Sequence, residues 1–192
     1  MPNHDALIVN YAAYESGTEF LGMTTAELPS VEFMSEKISG AGIGGEFEEI
    51  LIGMISSMTT KLNFRTVTNR AVILLEPKEH SITLRVAQDR VNTKNGNAVI
   101  LPVKHVLKLI PKKTSFGKVG VATVADVSGE YITKYYAVYI DGKKVTEIDP
   151  ANFICTIEGS NYLSKVNSVL GLNKKKKKST KKKTTKKKKK KK

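Results

Sequence analysis

Between residues 58 and 148, apolar and polar residues alternate in long runs separated by turn dipeptides. Side chains two apart share a face only in an extended chain, so this pattern demands strands and confines the fold to antiparallel pairing. In Ser81–Val91, Ile82, Leu84 and Val86 fall on one side and Thr83 and Arg85 on the other. Asn95-Gly96 then supplies the two residues that best tolerate positive φ in a tight turn, and Ala98–Ile110 returns as a second long strand. Gly120–Val127 and Glu130–Ile140 read as two more strands joined at Ser128-Gly129, and Asp141-Gly142 turns the chain into Lys143–Ile148. Upstream, Val31–Ile38 follows Pro29 as a strand. Met58–Val67 sets Lys61, Asn63 and Arg65 against Leu62 and Phe64 as a half-buried one. Helical signals are few. Thr68-Asn69 can cap Arg70–Glu76, which Pro77 stops. Asn161–Leu170 places Tyr162, Leu163, Val166, Val169 and Leu170 at helical spacing, with Gly171 suited to the position after the helix. Phe47–Met58 fits either helix or strand. The residues alone indicate an antiparallel sheet or sandwich.

Charge divides the chain in two. Of 32 basic residues, fifteen are lysines in residues 173–192, which hold no acid; the other seventeen face eighteen acids in residues 1–172. The net charge of +14 therefore belongs to one end, and the body is close to neutral. The end segment contains only Asn, Lys, Ser and Thr. With no apolar residue to bury and mutually repelling charges, it is expected to be disordered alone, with the domain boundary at Leu172/Asn173. Its lysines, Lys174, Lys175, Lys176, Lys177, Lys178, Lys181, Lys182, Lys183, Lys186 and Lys187 among them, are predicted to contact a polyanion or an acidic partner. Counterion release drives such binding without sequence preference. Lacking arginine and aromatic residues, the segment offers neither bidentate base readout nor stacking. DNA or RNA, an acidic protein surface and anionic lipid all fit. A milder set, Lys104, Lys108, Lys112, Lys113 and Lys118, reads as a solvated face.

Several chemistries find no support. Cys155 is the single cysteine and sits in the apolar stretch Phe153-Ile154-Cys155, where it reads as a packed small residue. His4, His80 and His105 are scattered, so neither a disulfide nor a structural metal is expected. The first residues show no cationic stretch leading into an apolar run, so no secretory signal is expected, and no apolar run approaches the ~20 residues that span a bilayer. The expectation is a soluble protein of a reducing compartment, without membrane insertion. Gly40, Gly42 and Gly45 satisfy GxGxxG. A dinucleotide site would also need a following helix and an acid about twenty residues on, whereas Glu46, Glu48 and Glu49 crowd the place where phosphate would sit. The glycines read instead as an extended loop. No spacing of nucleophile, base or metal ligands suggests catalysis, so neither an enzyme nor a cofactor is expected.

The order of these pieces resembles the major tail tube proteins of contractile-tailed bacteriophages, found also in phage-like bacteriocins. Three segments carry the likeness. The first is Glu27-Leu28-Pro29-Ser30-Val31 with its strand to Ile38, the glycine-rich Gly40–Gly45 and the strand from Met58 to Arg65. The second is Arg70–Glu76 with the long strand bearing Arg85. The third is Tyr135-Tyr136-Ala137-Val138-Tyr139-Ile140-Asp141-Gly142-Lys143-Lys144-Val145-Thr146-Glu147-Ile148-Asp149, then Ala151-Asn152-Phe153 and a segment ending Leu170-Gly171-Leu172. The likeness spans residues 6–172 and does not reach the lysine segment. It implies an antiparallel β-sandwich or barrel with one packed α-helix and a short C-terminal helix. It further implies homohexameric rings stacked into a hollow tube that conducts DNA during ejection, in a virion tail assembled in the host cytoplasm. Implied partners are other copies of the chain, the tail sheath protein, the tape measure protein, baseplate and tail terminator proteins, and transient, non-specific DNA. Gly40, Gly42, Ile43, Gly44 and Gly45 are expected to contact another subunit. The rival reading is a non-specific polyanion-binding β module with a cationic arm.

Overall fold

The computed structural model describes residues 4–22, 24–42, 44–92 and 96–172. The lysine segment, Ile43 and Asn95 lie outside them. In chain order the elements are β1 (His4–Glu15), β2 (Glu19–Phe20), β3 (Thr24–Glu27), β4 (Phe33–Ser39), β5 (Glu46–Ile55), β6 (Met58–Phe64), α1 (Asn69–Ile73), β7 (His80–Val91), β8 (Ala98–Ser115), β9 (Val127–Ile140), β10 (Lys143–Asp149), β11 (Ile154–Ile157), β12 (Ser160–Asn161) and α2 (Ser164–Val169).

One ten-stranded antiparallel sheet runs β12-β11-β10-β9-β8-β7-β1-β2. The fourteen-residue β9 serves two neighbours along one edge. Val127–Thr133 pairs with β6, which in turn holds β3, and Tyr136–Ile140 pairs with β10. β4 and β5 form a separate two-stranded hairpin. The expected barrel is therefore not closed: β2, β3 and β12 are free ends of an open sheet. Closure would need two of those ends to meet, and β2 and β12 are only two residues long. Mainly β, antiparallel and with two short helices is what the residues predicted.

The core lies on one face. Ala13 of β1, Met58, Leu62 and Phe64 of β6, Ile82 and Leu84 of β7, Leu107 and Leu109 of β8, Tyr131 and Tyr136 of β9 and Ile148 of β10 form one buried cluster, so the sheet curves around it. Ala71 and Leu74 bring the α1 segment into the same cluster. Thr68 caps that helix, its Oγ1 accepting from the Ala71 N–H at 3.2 Å, and the chain leaves the helical turns just before Pro77. Buried polar groups are matched across strands. The Thr60 and Thr133 hydroxyls lie 2.7 Å apart. His80 places Nδ1 2.7 Å from Glu15 and Nε2 3.1 Å from the Glu76 carbonyl oxygen, tying the end of the helical segment to β1.

Two core tyrosines give the fold an alkaline limit. Burial, with the Glu15 charge nearby, pushes the Tyr131 phenol up to about 12, and burial does the same for Tyr136. The fold favours the neutral phenols. Their stabilisation is whole below the ordinary value of 10.0 and is lost as pH rises from there towards about 12. The scale is about 1.4 kcal/mol per pKa unit per tyrosine as an upper figure. Circular dichroism is expected to show unfolding in that window, and Tyr136→Phe is expected to make the loss shallower.

Candidate inter-subunit surfaces

Three surfaces carry more exposed apolar area than a folded body of this kind requires, and a fourth carries charge.

The first is the far end of β1, β7 and β8. All twelve residues of β7 pair with β8, and on its other side β7 pairs with β1. β9 covers β8 only from Val103 onward, so Ala98–Leu101 have no strand on that side. β2 pairs β1 only at Tyr14 and Glu15, so the remainder of the outer edge of β1 is open. The three strands thus project as a blade with a free edge on each side. Both edges are apolar: Leu7, Ile8 and Val9 on β1 and Val99 and Ile100 on β8 are all more than half exposed. A long, apolar, unpaired edge is a template for another strand.

The second is the hairpin. Its base is fixed where Gly53 meets the start of α2. Gly53 has φ 86°, and a Cβ there would stand 2.8 Å from the Leu163 side chain, so only glycine fits both the backbone and the space. Between Phe33↔Ile55 and Ser35↔Ile50 the strands slip out of register, which bends the hairpin away from the sheet. Beyond the bend Met34, Phe47, Ile50, Leu51 and Ile52 are exposed. The glycine-rich segment is the tip. Gly40, Gly42, Gly44 and Gly45 have nothing within 4 Å of a would-be Cβ, and Gly42 has φ 90°. A strand, β5, follows where a nucleotide site would need a helix.

The third is the loop between β8 and β9, where Phe116, Val119 and Val121 are exposed, the two valines almost completely. This stretch was expected to be a strand, with a turn at Ser128-Gly129. Instead Gly120–Asp126 is loop and Ser128-Gly129 lies within β9. Beside it an open cleft of about 720 Å³ is lined by Thr25, Phe64, Arg65, Val124 and Asp126.

The fourth is the sheet face opposite the core. Arg85, Lys104 and Tyr139 are direct cross-strand neighbours, and Lys144 pairs with Tyr139. The Arg85 guanidinium stands 4.7 Å over the Tyr14 ring and Lys104 Nζ 4.2 Å over Tyr139. Lys108 pairs with Glu79 at 3.1 Å and Lys112 with Glu130 at 2.8 Å. The Lys112 hydrogen bond holds the Glu130 carboxyl below its usual range. Burial pulls Glu147 upward, but hydrogen bonds from Lys144 and Tyr135 outweigh it and its carboxyl is held low. The face is wet, as the alternation predicted, with one exception: Thr83 is buried. Cys155 is buried, and burial raises its thiol. Among the described residues no group of histidine, cysteine and carboxylate side chains is arranged to hold a metal ion, and no helix is long and apolar enough to cross a membrane.

The family model for phage tail tube protein FII matches residues 5–171. The chain belongs to that family. This makes it a structural component of a virion tail. Comparison with curated proteins gives no match. Among solved structures, the tail tube chain is similar to the sheath/tube terminator of an extracellular contractile injection system (PVC) in its extended state. The TM-score is 0.48 at 9% identity over 71% of this chain and 97% of the other. It is also similar to a chain of the sheath–tube complex of such a system in the extended state, with TM-score 0.45, 11% identity, and 67% and 87% coverage. Within this tail tube protein the predicted loop glycines come together at the hairpin tip. Residue-level reading missed the blade edge: His4–Glu15 drew no assignment, although its apolar Ala6–Val9 was the available signal.

Proposed function

We propose that six copies of this tail tube protein join side by side into a ring, and that rings stack into the hollow inner tube of a contractile tail. The observation that carries the reading is the blade with two free apolar edges. β1 and β8 flank β7 and run parallel to each other. The β1 edge of one copy can therefore pair with the Ala98–Leu101 edge of the next in the same orientation all around a ring. A contact between unlike patches repeats until rotation closes it, and closure removes every free edge. The count of six follows the family's pattern. The hairpin tip, with Gly40, Gly42, Ile43, Gly44 and Gly45, reaches a neighbouring subunit or ring. The polar sheet face supplies a wet surface, such as a channel for DNA at ejection requires. Tail sheath, tape measure, baseplate and terminator proteins are the partners this role implies, with assembly in the host cytoplasm. The body does this work as one domain, with residues 173–192 as an appended cationic segment.

Negative-stain electron microscopy of the full chain and of a chain ending at Leu172 tests the proposal across concentration and salt. Rings or hollow tubes of uniform width are expected from both. Single subunits at every concentration, with salt-sensitive DNA binding by the full chain alone, would favour the polyanion-binding module instead.

A further inference from the structure

The hairpin is the one place on the described surface where carboxylates gather without matching cations. Elsewhere acids pair one to one: Glu27 with Lys61, Glu19 with Arg70, Glu76 with Lys78, Glu79 with Lys108 and Glu130 with Lys112. On β4 and β5, Glu36, Glu46, Glu48 and Glu49 are all exposed and face a single lysine, Lys37, which pairs with Glu46 at 2.9 Å. Glu48 accepts from the Ser35 hydroxyl. Glu36 and Glu49 are direct cross-strand partners. Two like charges in that position oppose the pairing that holds them, unless a cation lies over them.

The chain carries such a cation source, and the described residues end beside the hairpin's base. Leu163, against which Gly53 packs, begins the turn of α2. The helix closes at Gly171, φ 68°, with the Leu172 N–H donating to the Asn167 carbonyl at 2.9 Å. Nine residues of mostly helical rise place Leu172 roughly 14 Å along the chain from that contact. From Gly53 to Glu46 the hairpin extends about 23 Å. Residues 173–192 can span at most about 70 Å when extended, and twenty residues of coil average about 25 Å. The reach suffices, and tethering keeps the local lysine concentration high.

We propose that the Lys174–Lys192 segment of each copy lies along its own β4–β5 hairpin, its ammonium groups over Glu36, Glu46, Glu48 and Glu49. The contact neutralises the hairpin's like charges and withholds the lysines from other polyanions. It stands on the hairpin and the chain end alone and does not require the tube.

Two measurements on the full chain test it. In the first, binding of a short single-stranded oligonucleotide is followed by fluorescence anisotropy at moderate salt. The hairpin variant Glu36→Gln/Glu46→Gln/Glu48→Gln/Glu49→Gln is compared with a charge-matched control, Glu27→Gln/Glu76→Gln/Glu79→Gln/Glu158→Gln. Freed lysines should bind about tenfold tighter in the hairpin variant, and the control should change far less. Equal shifts in both variants, or none in either, overturn the proposal. In the second, a mixture of light and isotope-labelled chains is coupled with a carbodiimide, which joins a carboxylate directly to a neighbouring amine. Links from the lysine segment to the hairpin carboxylates within chains of one label are expected. Links only between labels, or spread evenly over Glu27, Glu76 and Glu158, overturn it.

Discussion

With Leu7 and Val9 both replaced by lysine, the protein is expected to fold as before and to form no rings. Both positions lie on the open edge of β1, and both side chains are at least 60% exposed, so the isolated subunit loses almost no buried contact. Exposed substitutions of this kind change stability by about 0.5 kcal/mol or less. Pairing with a second strand is another matter. It would bring the new ammonium groups against an apolar edge and strip their water, and lysine on an edge strand is a common natural block to such pairing. Thermal unfolding should be nearly unchanged, while electron microscopy should show single particles where the parent shows rings. Rings of normal width from the double variant would remove β1 from the ring contact.

Gly129→Val is expected to cost on the order of 3 kcal/mol, read as a lower urea midpoint with an unchanged slope. Gly129 sits inside β9, and Tyr131, two residues on and so on the same face, folds its ring back over it. A Cβ at Gly129 would lie 2.5 Å from Cε2 and 2.6 Å from Cζ of that ring. Tyr131 is 1% exposed and belongs to the central cluster, so it has nowhere to go. A Gly45→Ala control at the hairpin tip, where a would-be Cβ meets nothing within 4 Å, should stay within about 0.5 kcal/mol of the parent. Equal effects at the two sites would mean that Tyr131 is not held as described.

The same glycine shows where the sequence is legible and where it is not. Strands with one wet and one buried face announce themselves. Ser81–Val91 matches β7 to within a residue, and Asp141-Gly142, with φ 49° and 75°, makes the turn its composition promised. Ser128-Gly129 looks like a turn too, because turn chemistry and a side-chain-free slot for a neighbouring ring use the same residue. Alternating valines failed differently. Val119, Val121 and Val124 read as a strand half-buried in its own subunit, yet the first two are nearly fully exposed. Alternation reports that a face is apolar and says nothing about what covers it. The hairpin was ambiguous for the same reason, since Phe47, Ile50, Leu51 and Ile52 satisfy neither a one-faced helix nor a one-faced strand when both hairpin faces stand clear of the body. β1 escaped because an edge strand has no period imposed on its open side.

The two edges of the blade lie on opposite sides of β7 and are different surfaces, so damage to one leaves the other competent. A chain disabled only at β1 can still present Ala98–Leu101 to an intact copy and then offer nothing onward. Such a chain would be a poison rather than a bystander: mixed into a normal population, it terminates whatever arc accepts it. The share of complete rings would then fall as a high power of the intact fraction. A small minority of faulty subunits, from mistranslation or oxidation, would therefore limit tube yield well before it measurably changed the average stability of the pool.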